Sequence, residues 1–537
     1  MSATNAQADN QDRAEDAALV VLEGWHTAAA ITYAEMNRAI KAHGIFPPSF
    51  DHAAPDGSCS VHATFDAWEM AIGGAGPLIR MALHISGGTL MIGTASHPVA
   101  PCVAAIEVQA NFIDRPAAAA KQDLVLDSTT PVTVSDCAPP QPNFMVEGVF
   151  HGLLQEWLNA NLEQFQHVFA TVDFDADFAN EGVSWLKPSF HGYAVVEPMD
   201  NKTLDNCAFG VLCMIDGAQP TAHMAQQLPP FIIPAGRRAG FAISPDKFLH
   251  HMMLAALPLM FKDIDNEDPL TNFEIVGAGT TITNSRALTF RQIELADGTT
   301  CEPVVTPGNF TMAVSATELI VSSVDLTHSP SAGITAHLNQ HSRQGIRYDK
   351  TIGIMDVYVI KQTGDGHLEI NKAMADTAMV LAWSSLGLTV VAGGGMIAGK
   401  LAAGVAGRAT EAAEDAVGAG TRIVLDSEET GAMLEEEMAT SISALSNALS
   451  KAGNFASIAQ IAATVSRVAG IAAFATSLMP VIYNVVKAMD EKDYNSLPKI
   501  ADLTDGAIGR VVNWPEAVGV FKLVEMQLNH SLQFGFD

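Results

Sequence analysis

Apolar and polar side chains alternate along much of the first two thirds of the chain. In "LIRMALHIS" Ile79, Met81, Leu83 and Ile85 share one face, and in "CVAAIEVQANF" Cys102, Ala104, Ile106, Val108 and Phe112 do the same. A period of two sends successive side chains to opposite faces, so both stretches predict strands with one face on a core. The "GGAG" at 73–76 lies between two apolar runs and predicts a hairpin loop. Further strands are predicted around 190–197, 207–215, 273–283, 310–325 and 350–361. At the end of the chain, "VEMQLNHSLQFGFD" places Val524, Met526, Leu528, Leu532, Phe534 and Phe536 on one face. It predicts a final strand that pairs back into the sheet.

A second period marks helices. "TYAE" at 32–35 fits a capping box, with Thr32 ahead of Glu35 and the apolar Met36 and Ile40 behind it. In "EGVFHGLLQEWLNANLEQFQHVF" the residues Phe150, Leu154, Trp157, Leu158, Leu162, Phe165 and Phe169 form an apolar stripe at helical spacing. "SPDKFLHHMMLAALPLMF" starts with Ser244 as N-cap and Pro245 in the first turn, a favourable helix start. From about 372 to 490 the chain turns Ala/Gly-rich and loses strand character. Residues 377–399 and 468–486 carry no charge, and Glu435, Glu436 and Glu437 lie between them. The patterns divide the chain into a polar tail at 1–18, expected to be disordered, and a β-rich region at 19–371. A helical insertion is expected at 372–495, with strands returning to the sheet at 496–537.

Composition narrows the function. With 48% hydrophobic and 16% charged residues over 537 positions, the chain can bury a large core. Its net charge of −30 argues against sequence-independent nucleic-acid binding, which needs Lys and Arg against phosphates. It also argues against loose docking on anionic lipid, since no run of four basic residues is present. The start lacks a basic segment followed by an apolar one, so no secretory signal is read. The expectation is synthesis and residence in the cytoplasm, with any release by an unconventional route. The six cysteines contain no C-x-x-C pair, and their spacing suits neither zinc nor a disulfide framework. Buried thiols are expected, with a Cys207–Cys213 bridge as a minor alternative.

Several motifs imitate chemistry. "VVAGGGMIAGKLAAG" at 390–404 offers Gly394, Gly399 and Lys400 as a phosphate loop, but Leu401 stands where a magnesium-binding hydroxyl belongs. As a dinucleotide fold it fails as well, because the acid Asp426 comes late and no strand–helix series surrounds it. The uncharged residues 377–399 are long enough to span a bilayer, with Gly395, Gly399, Ala403 and Gly407 as a small-residue series. Close-packed helix explains the pattern with fewer assumptions. His337 and His341 have metal-ligand spacing only on a helix, whereas their surroundings predict a strand; they read as solvated histidines. His250 and His251 are adjacent, so on a helix they are expected to point to different sides and not to share one metal. No nucleophile elbow or Cys/His pairing stands out. No catalytic residue, metal or cofactor is expected.

Six stretches, in order, resemble one family. They are "GWHTAAAITYAEMNRAI" (24–40), "FDAWEMAIGGAGPLIRMALHISGG" (65–88), "WLKPSFHGYAVVEP" (185–198), "FGVLCMID" (209–216), "IPAGRRAGFAISPDKFLHHMMLAALP" (233–258) and "VNWPEAVGVFKLVEMQLNHSLQFGFD" (512–537). Together they resemble the P47 and OrfX-type proteins found beside clostridial neurotoxin genes. His26 stands where that pattern has an acid, Ala75 where it often has Ser, and the Ala/Gly-rich insertion is the least family-like part. The resemblance implies an α+β, TULIP-like fold, a highly curved antiparallel sheet wrapped around long amphipathic helices. The apolar seam between sheet and helix can hold lipid in that superfamily.

The sequence therefore reads as a non-enzymatic binder of lipid or another apolar small molecule, an accessory to a toxin or secreted complex. Phe150, Leu154, Trp157, Leu158, Leu162 and Phe165 are the candidate seam. Partners implied by the resemblance are other P47/OrfX-type proteins or a toxin, with membrane contact but not as an integral protein. Two alternatives stay open: an interaction scaffold without lipid cargo, and a protein that inserts its two uncharged segments into membrane at low pH.

Overall fold

The computed structural model describes residues 19–370 apart from 117, 119, 178–180, 223, 255–256, 265–268, 292, 295–299, 332–333 and 350–353. It then describes 389–392, 395–397, 421–425 and 507–537. The chain divides into two compact units. The first comprises 1–248, 347–355 and 495–537, and the second 249–346 and 356–494.

The first unit opens with β1 (Thr27–Thr32) and α1 (Tyr33–His43), followed by β2 (Ser49–Ala53), β3 (Cys59–Met70), β4 (Ile79–Ile92), β5 (Ala95–Val99) and β6 (Cys102–Val108). Then come β7 (Ala110–Asp114), β8 (Lys121–Leu126), β9 (Thr133–Ala138), α2 (Phe144–Asn161), β10 (Ala170–Asp173), β11 (Phe190–Val196), β12 (Ala208–Met214) and β13 (Ala239–Ile243). These strands form three antiparallel sheets. One runs β2-β3-β4-β6-β9, with β5 also on β4. A second joins β7, β8 and β10 to Val512–Asn513. The third runs β11-β12-β1-β13 and continues onto the hairpin of Ser531–Phe536 and Leu523–Asn529.

The predicted hairpin around 73–76 is present, pairing Met70 with Met81. Its glycines hold a carboxylate. Glu197, buried, accepts the N–H groups of Gly73 (2.5 Å) and Gly74 (2.8 Å), and Lys202 reaches its other oxygen at 3.1 Å. A Cβ on Gly74 would stand 2.9 Å from the Leu78 carbonyl oxygen, so no side chain fits there. Farther along β4, a Cβ on Gly88 would lie 2.3 Å from the His62 carbonyl oxygen, at a place where β3 and β4 slip register. Such slips bend the strand and increase its twist.

In the second unit, β14 (Phe273–Val276), β15 (Thr281–Asn284), β16 (Phe310–Ser315), β17 (Glu318–Ser331) and β18 (Ile334–Asp349) belong to an antiparallel meander. Phe261, Phe273, Phe290 and Phe310 fill its core, with ring centroids 4.5–6.4 Å apart. His337 and His341 both lie on β18, four residues and so about 13 Å apart. They bond to different partners, His337 to Asp325 and His341 to Ser322.

Several expectations need correction. The α+β class is too helical: among the described residues the protein is mostly β, with α1 and the 18-residue α2 as its substantial helices. The helix expected from Ser244 is a single α-turn, Pro245–Phe248, followed by π and 3₁₀ turns. Pro258 removes a donor that a continuing helix needs. The final strand is two strands that reverse at His530, whose φ is 60°. That reversal has neither Gly nor Pro to announce it. Cys207 and Cys213 are free thiols. One precedes β12 and the other lies near its end, so about 20 Å of extended chain separates them. Most of the helical insertion, including all of 468–486 and most of 377–399, lies outside the described residues. Where it is described, Thr389–Ala392, Gly395–Ile397 and Thr421–Leu425 are strands, as their β-branched residues favour. For residues 389–392 and 395–397 the packed-helix expectation therefore does not hold.

Candidate functional site

The site expected from sequence is the seam between the amphipathic helix and the sheet. Helix α2 begins at Asn143, whose side chain accepts the Val146 N–H at 2.9 Å, satisfying one of the orphan donors of the first turn. The helix packs on β2 and β3 and also on β9, which lies at the far edge of the same sheet. Five strands laid flat span roughly 19 Å, while a helix is about 10 Å across. Contact with both edges therefore requires the sheet to curl into a half-barrel, with α2 filling its open side.

Side chains on the flanks of α2 tie it to those edges. Gln155 accepts the Val134 N–H at 3.1 Å, and Asn159 accepts the Val132 N–H at 2.7 Å and donates to the Val132 carbonyl at 3.2 Å. On the opposite edge Glu156 meets His52 on β2 at 3.1 Å. These contacts satisfy backbone groups on the β9 edge that would otherwise be unpaired.

All six candidate residues lie inside. Phe150, Leu154, Trp157 and Leu158 are buried on α2, Leu162 in the 3₁₀ turn that follows, and Phe165 just beyond it. The most accessible, Trp157, is 7% exposed. The aromatic members meet rings from the sheet. Trp157 stands 5.4 Å from Phe50 and 5.7 Å from Phe65, Phe150 is 6.2 Å from Phe50, and Phe165 is 5.5 Å from Trp68. Offset and edge-on aromatic pairs of this kind add about 0.5–1.5 kcal/mol each beyond their buried area. The sheet half of the cluster, Phe50, Phe65 and Trp68, was not identified from sequence. Its signal was the alternation in "VHATFDAWEM", which shows a buried face without showing what it packs on.

One end of the seam is polar without partners. Trp68 Nε1 and His167 Nε2 are buried and have no hydrogen-bond partner among the described residues. The two rings meet edge-on at 6.4 Å, and Phe165 links them to the cluster. Burial pushes the His167 imidazole down to about 4, so it is neutral at pH 7. Apolar side chains also stand exposed where α2 begins. Phe144 is 87% and Met145 59% accessible. Among the described residues no helix is long and apolar enough to cross a membrane.

Comparison with known proteins agrees with this geometry. A family model described as OrfX-like, Protein OrfX2/OrfX3/P47, matches residues 22–435. Protein OrfX3 of Clostridium botulinum (strain Kyoto / Type A2) is 26% identical over 287 residues, 47% of this chain and 56% of that protein. Protein OrfX3 of Paraclostridium bifermentans is 24% identical over 286 residues, 47% of this chain and 57% of that protein. The matches thus span little more than half the length of these relatives. Among solved structures, P47 from Clostridium botulinum A2 superposes with a TM-score of 0.58 at 12% identity, covering 97% of this chain and 99% of that one. At that identity the likeness is one of fold, a mostly β protein built on a strongly curled antiparallel sheet.

Proposed function

The chain belongs to the OrfX-like family of OrfX2, OrfX3 and P47 proteins, and from that premise we propose that it is a non-enzymatic binding protein for a lipid or other amphipathic molecule. The ligand is taken into the seam between α2 and its half-barrel, where Phe150, Leu154, Trp157, Leu158, Leu162 and Phe165 would meet its apolar part. The observation that carries this reading is the pair of buried, unpaired polar groups, Trp68 Nε1 and His167 Nε2, in an otherwise aromatic lining. Buried polar groups are almost always hydrogen-bonded, and leaving one unpaired costs roughly 1–3 kcal/mol. A ligand with an apolar tail and an accepting head would satisfy the indole N–H while its tail meets the rings. Since the six side chains are buried without ligand, entry requires α2 to shift from the sheet. The rim contacts of Gln155, Glu156 and Asn159 are what it would break.

The test is native mass spectrometry of the purified full chain, followed by lipid analysis of its organic extract. A stoichiometric lipid, depleted in Trp68→Phe and His167→Phe variants that remain folded, is the expected result. A clean apo mass that persists after incubation with lipid vesicles would overturn the reading. It would favour the scaffold alternative, an accessory place in a toxin or secreted complex beside other OrfX/P47-type proteins or a toxin. The exposed Phe144 and Met145 favour that second reading, as apolar side chains that a partner could cover.

A further inference from the structure

Helix α2 is built unevenly along its length. Its first half, 144–152, contains Gly148 and Gly152, whereas its second half, 153–161, contains no glycine. The other substantial helix, α1, has none either. Both glycines lie on the exposed side, one turn apart, and a Cβ at either position would meet nothing within 4 Å. Neither close packing nor a left-handed turn therefore calls for glycine there. In a helix interior glycine is a weakening residue, because the released chain regains more backbone freedom at it than at any other. The weakness is not at the very start. Asn143 caps the first turn, and Glu147 places negative charge near the positive end of the helix.

The contacts of α2 follow the same division. The tight hydrogen bonds from its side chains to the sheet, 2.7–3.2 Å long, start from Gln155, Glu156 and Asn159. Just past the helix, the Ile45 and Gln166 backbones exchange two more, at 2.9 and 2.8 Å. The first half is held by apolar packing, with Val146 and Phe150 buried and Phe150 6.2 Å from Phe50, while Phe144 and Met145 stand in solvent. From Phe150 the rings run on through Phe50, Trp157 and Phe165 to Trp68 and His167. The lightly held half thus covers one end of the aromatic seam, and the unpaired Trp68 Nε1 and His167 Nε2 lie at the other.

We propose that the first half of α2 is the gate of the seam. Residues 144–148 swing out as a capped turn on the glycine-weakened stretch at 148–152 and uncover Phe50. Opening then runs on toward the rim contacts of Gln155, Glu156 and Asn159, which break last. The gate rests on the proposed use of the seam as a ligand site. A lid has to open at small cost, and elements that move are drawn from the least stable parts of a fold. Two solvent-facing glycines lower the cost of opening without altering the packed face that closes the seam. Phe144 and Met145 travel with the gate and form the apolar lip that an entering tail meets first.

The test compares the full chain with Gly148→Ala, Gly152→Ala and the double variant. Alanine fits both positions and strengthens the helix, so these variants should fold at least as well as the wild type. Peptide-resolved hydrogen–deuterium exchange, corrected for intrinsic rates, should show the wild-type amides at 148–153 exchanging about 10-fold or more faster than those at 157–161. Each alanine should slow the first group about 2- to 5-fold, and the pair about 5- to 30-fold, with 157–161 unchanged. Uptake of dibromostearate, an apolar tail with an accepting head, is followed by stopped flow through quenching of Trp157 and Trp68. The double variant should take it up about 5- to 30-fold more slowly and reach the same final quench. Equal protection along the whole helix, or an unchanged uptake rate in a double variant whose amides are better protected, would overturn the gate and leave the seam a ligand site. Absence of quenching in the wild type would overturn the ligand site and the gate with it.

Discussion

Single buried residues show how polar groups are handled inside this chain. At His26, where the resemblance implies an acid, Nδ1 accepts the Ile215 N–H at 3.1 Å. Burial and Lys247 lower its basicity, so a neutral imidazole does the accepting that a carboxylate would do. Ala75 contributes only its backbone to the hairpin turn, so the turn needs no hydroxyl there. His191 is held among Phe112, 4.0 Å away, and Phe174, 4.9 Å away, with no partner for either nitrogen among the described residues. Burial takes it, like His167, down to about 4. In the unfolded chain both titrate near 6.5. Between pH 6.5 and 4 the unfolded state therefore binds protons that the folded state refuses, and stability falls as pH falls through that window. Below pH 4 these two groups cost nothing further. Urea midpoints of the ligand-free protein should drop from pH 7 to pH 4.5, each histidine costing on the order of 1–3 kcal/mol. His191→Phe should remove its share of the slope and change stability little at pH 7.5. An unaltered slope in that variant would show that His191 is not the neutral buried group.

At the scale of elements, α2 separates the contributions of packing and polar contacts. Trp157→Ala deletes the ring shared by Phe50, Phe65 and Phe165 and should cost about 3–5 kcal/mol. Gln155→Ala removes one hydrogen bond to the β9 edge and Asn159→Ala two, and they should cost about 1 and about 1–2 kcal/mol. Equal losses from Trp157 and Asn159 in thermal unfolding would contradict this ranking. The helix was legible because its stripe repeats at 3.6 residues, a local signal. Its partners were not, because Phe50, Phe65 and Trp68 are about 90 residues earlier, and alternation states only that a face is buried. The capping box was half legible. Thr32 accepts the Glu35 N–H at 3.2 Å as its spacing predicts, but the Glu35 carboxylate turns away to a bidentate pair with Arg238 at 2.7–2.8 Å. That partner lies 203 residues further on. The C-terminal hairpin was read as one strand because both its halves keep the same alternation and His530 is an unmarked turn residue.

For the whole molecule, the controlling number is the charge: 59 acidic against 29 basic residues, a net −30. Two effects of salt oppose each other. Screening weakens the ion pairs that hold the chain together, and it also weakens repulsion among the acids left without a cation. The described pairs are mostly accessible, such as Lys187–Asp175 at 3.1 Å and Arg237–Asp537 at 3.0 Å, and exposed pairs contribute only about 0–1 kcal/mol each. The inward pairs are few and are shielded by burial, notably Arg238–Glu35 at 2.7 Å, whose carboxylate is almost wholly enclosed. Repulsion spread over 30 excess charges acts at longer range, and it is the part that a Debye length of about 8 Å removes. The melting temperature should therefore rise by roughly 2–5 °C when sodium chloride is raised from about 10 mM to 150 mM, and change little beyond. Scanning calorimetry across that range decides the balance. A fall in melting temperature would mean that the surface ion pairs outweigh the acidic excess, and that the acids are more fully paired than the described contacts indicate.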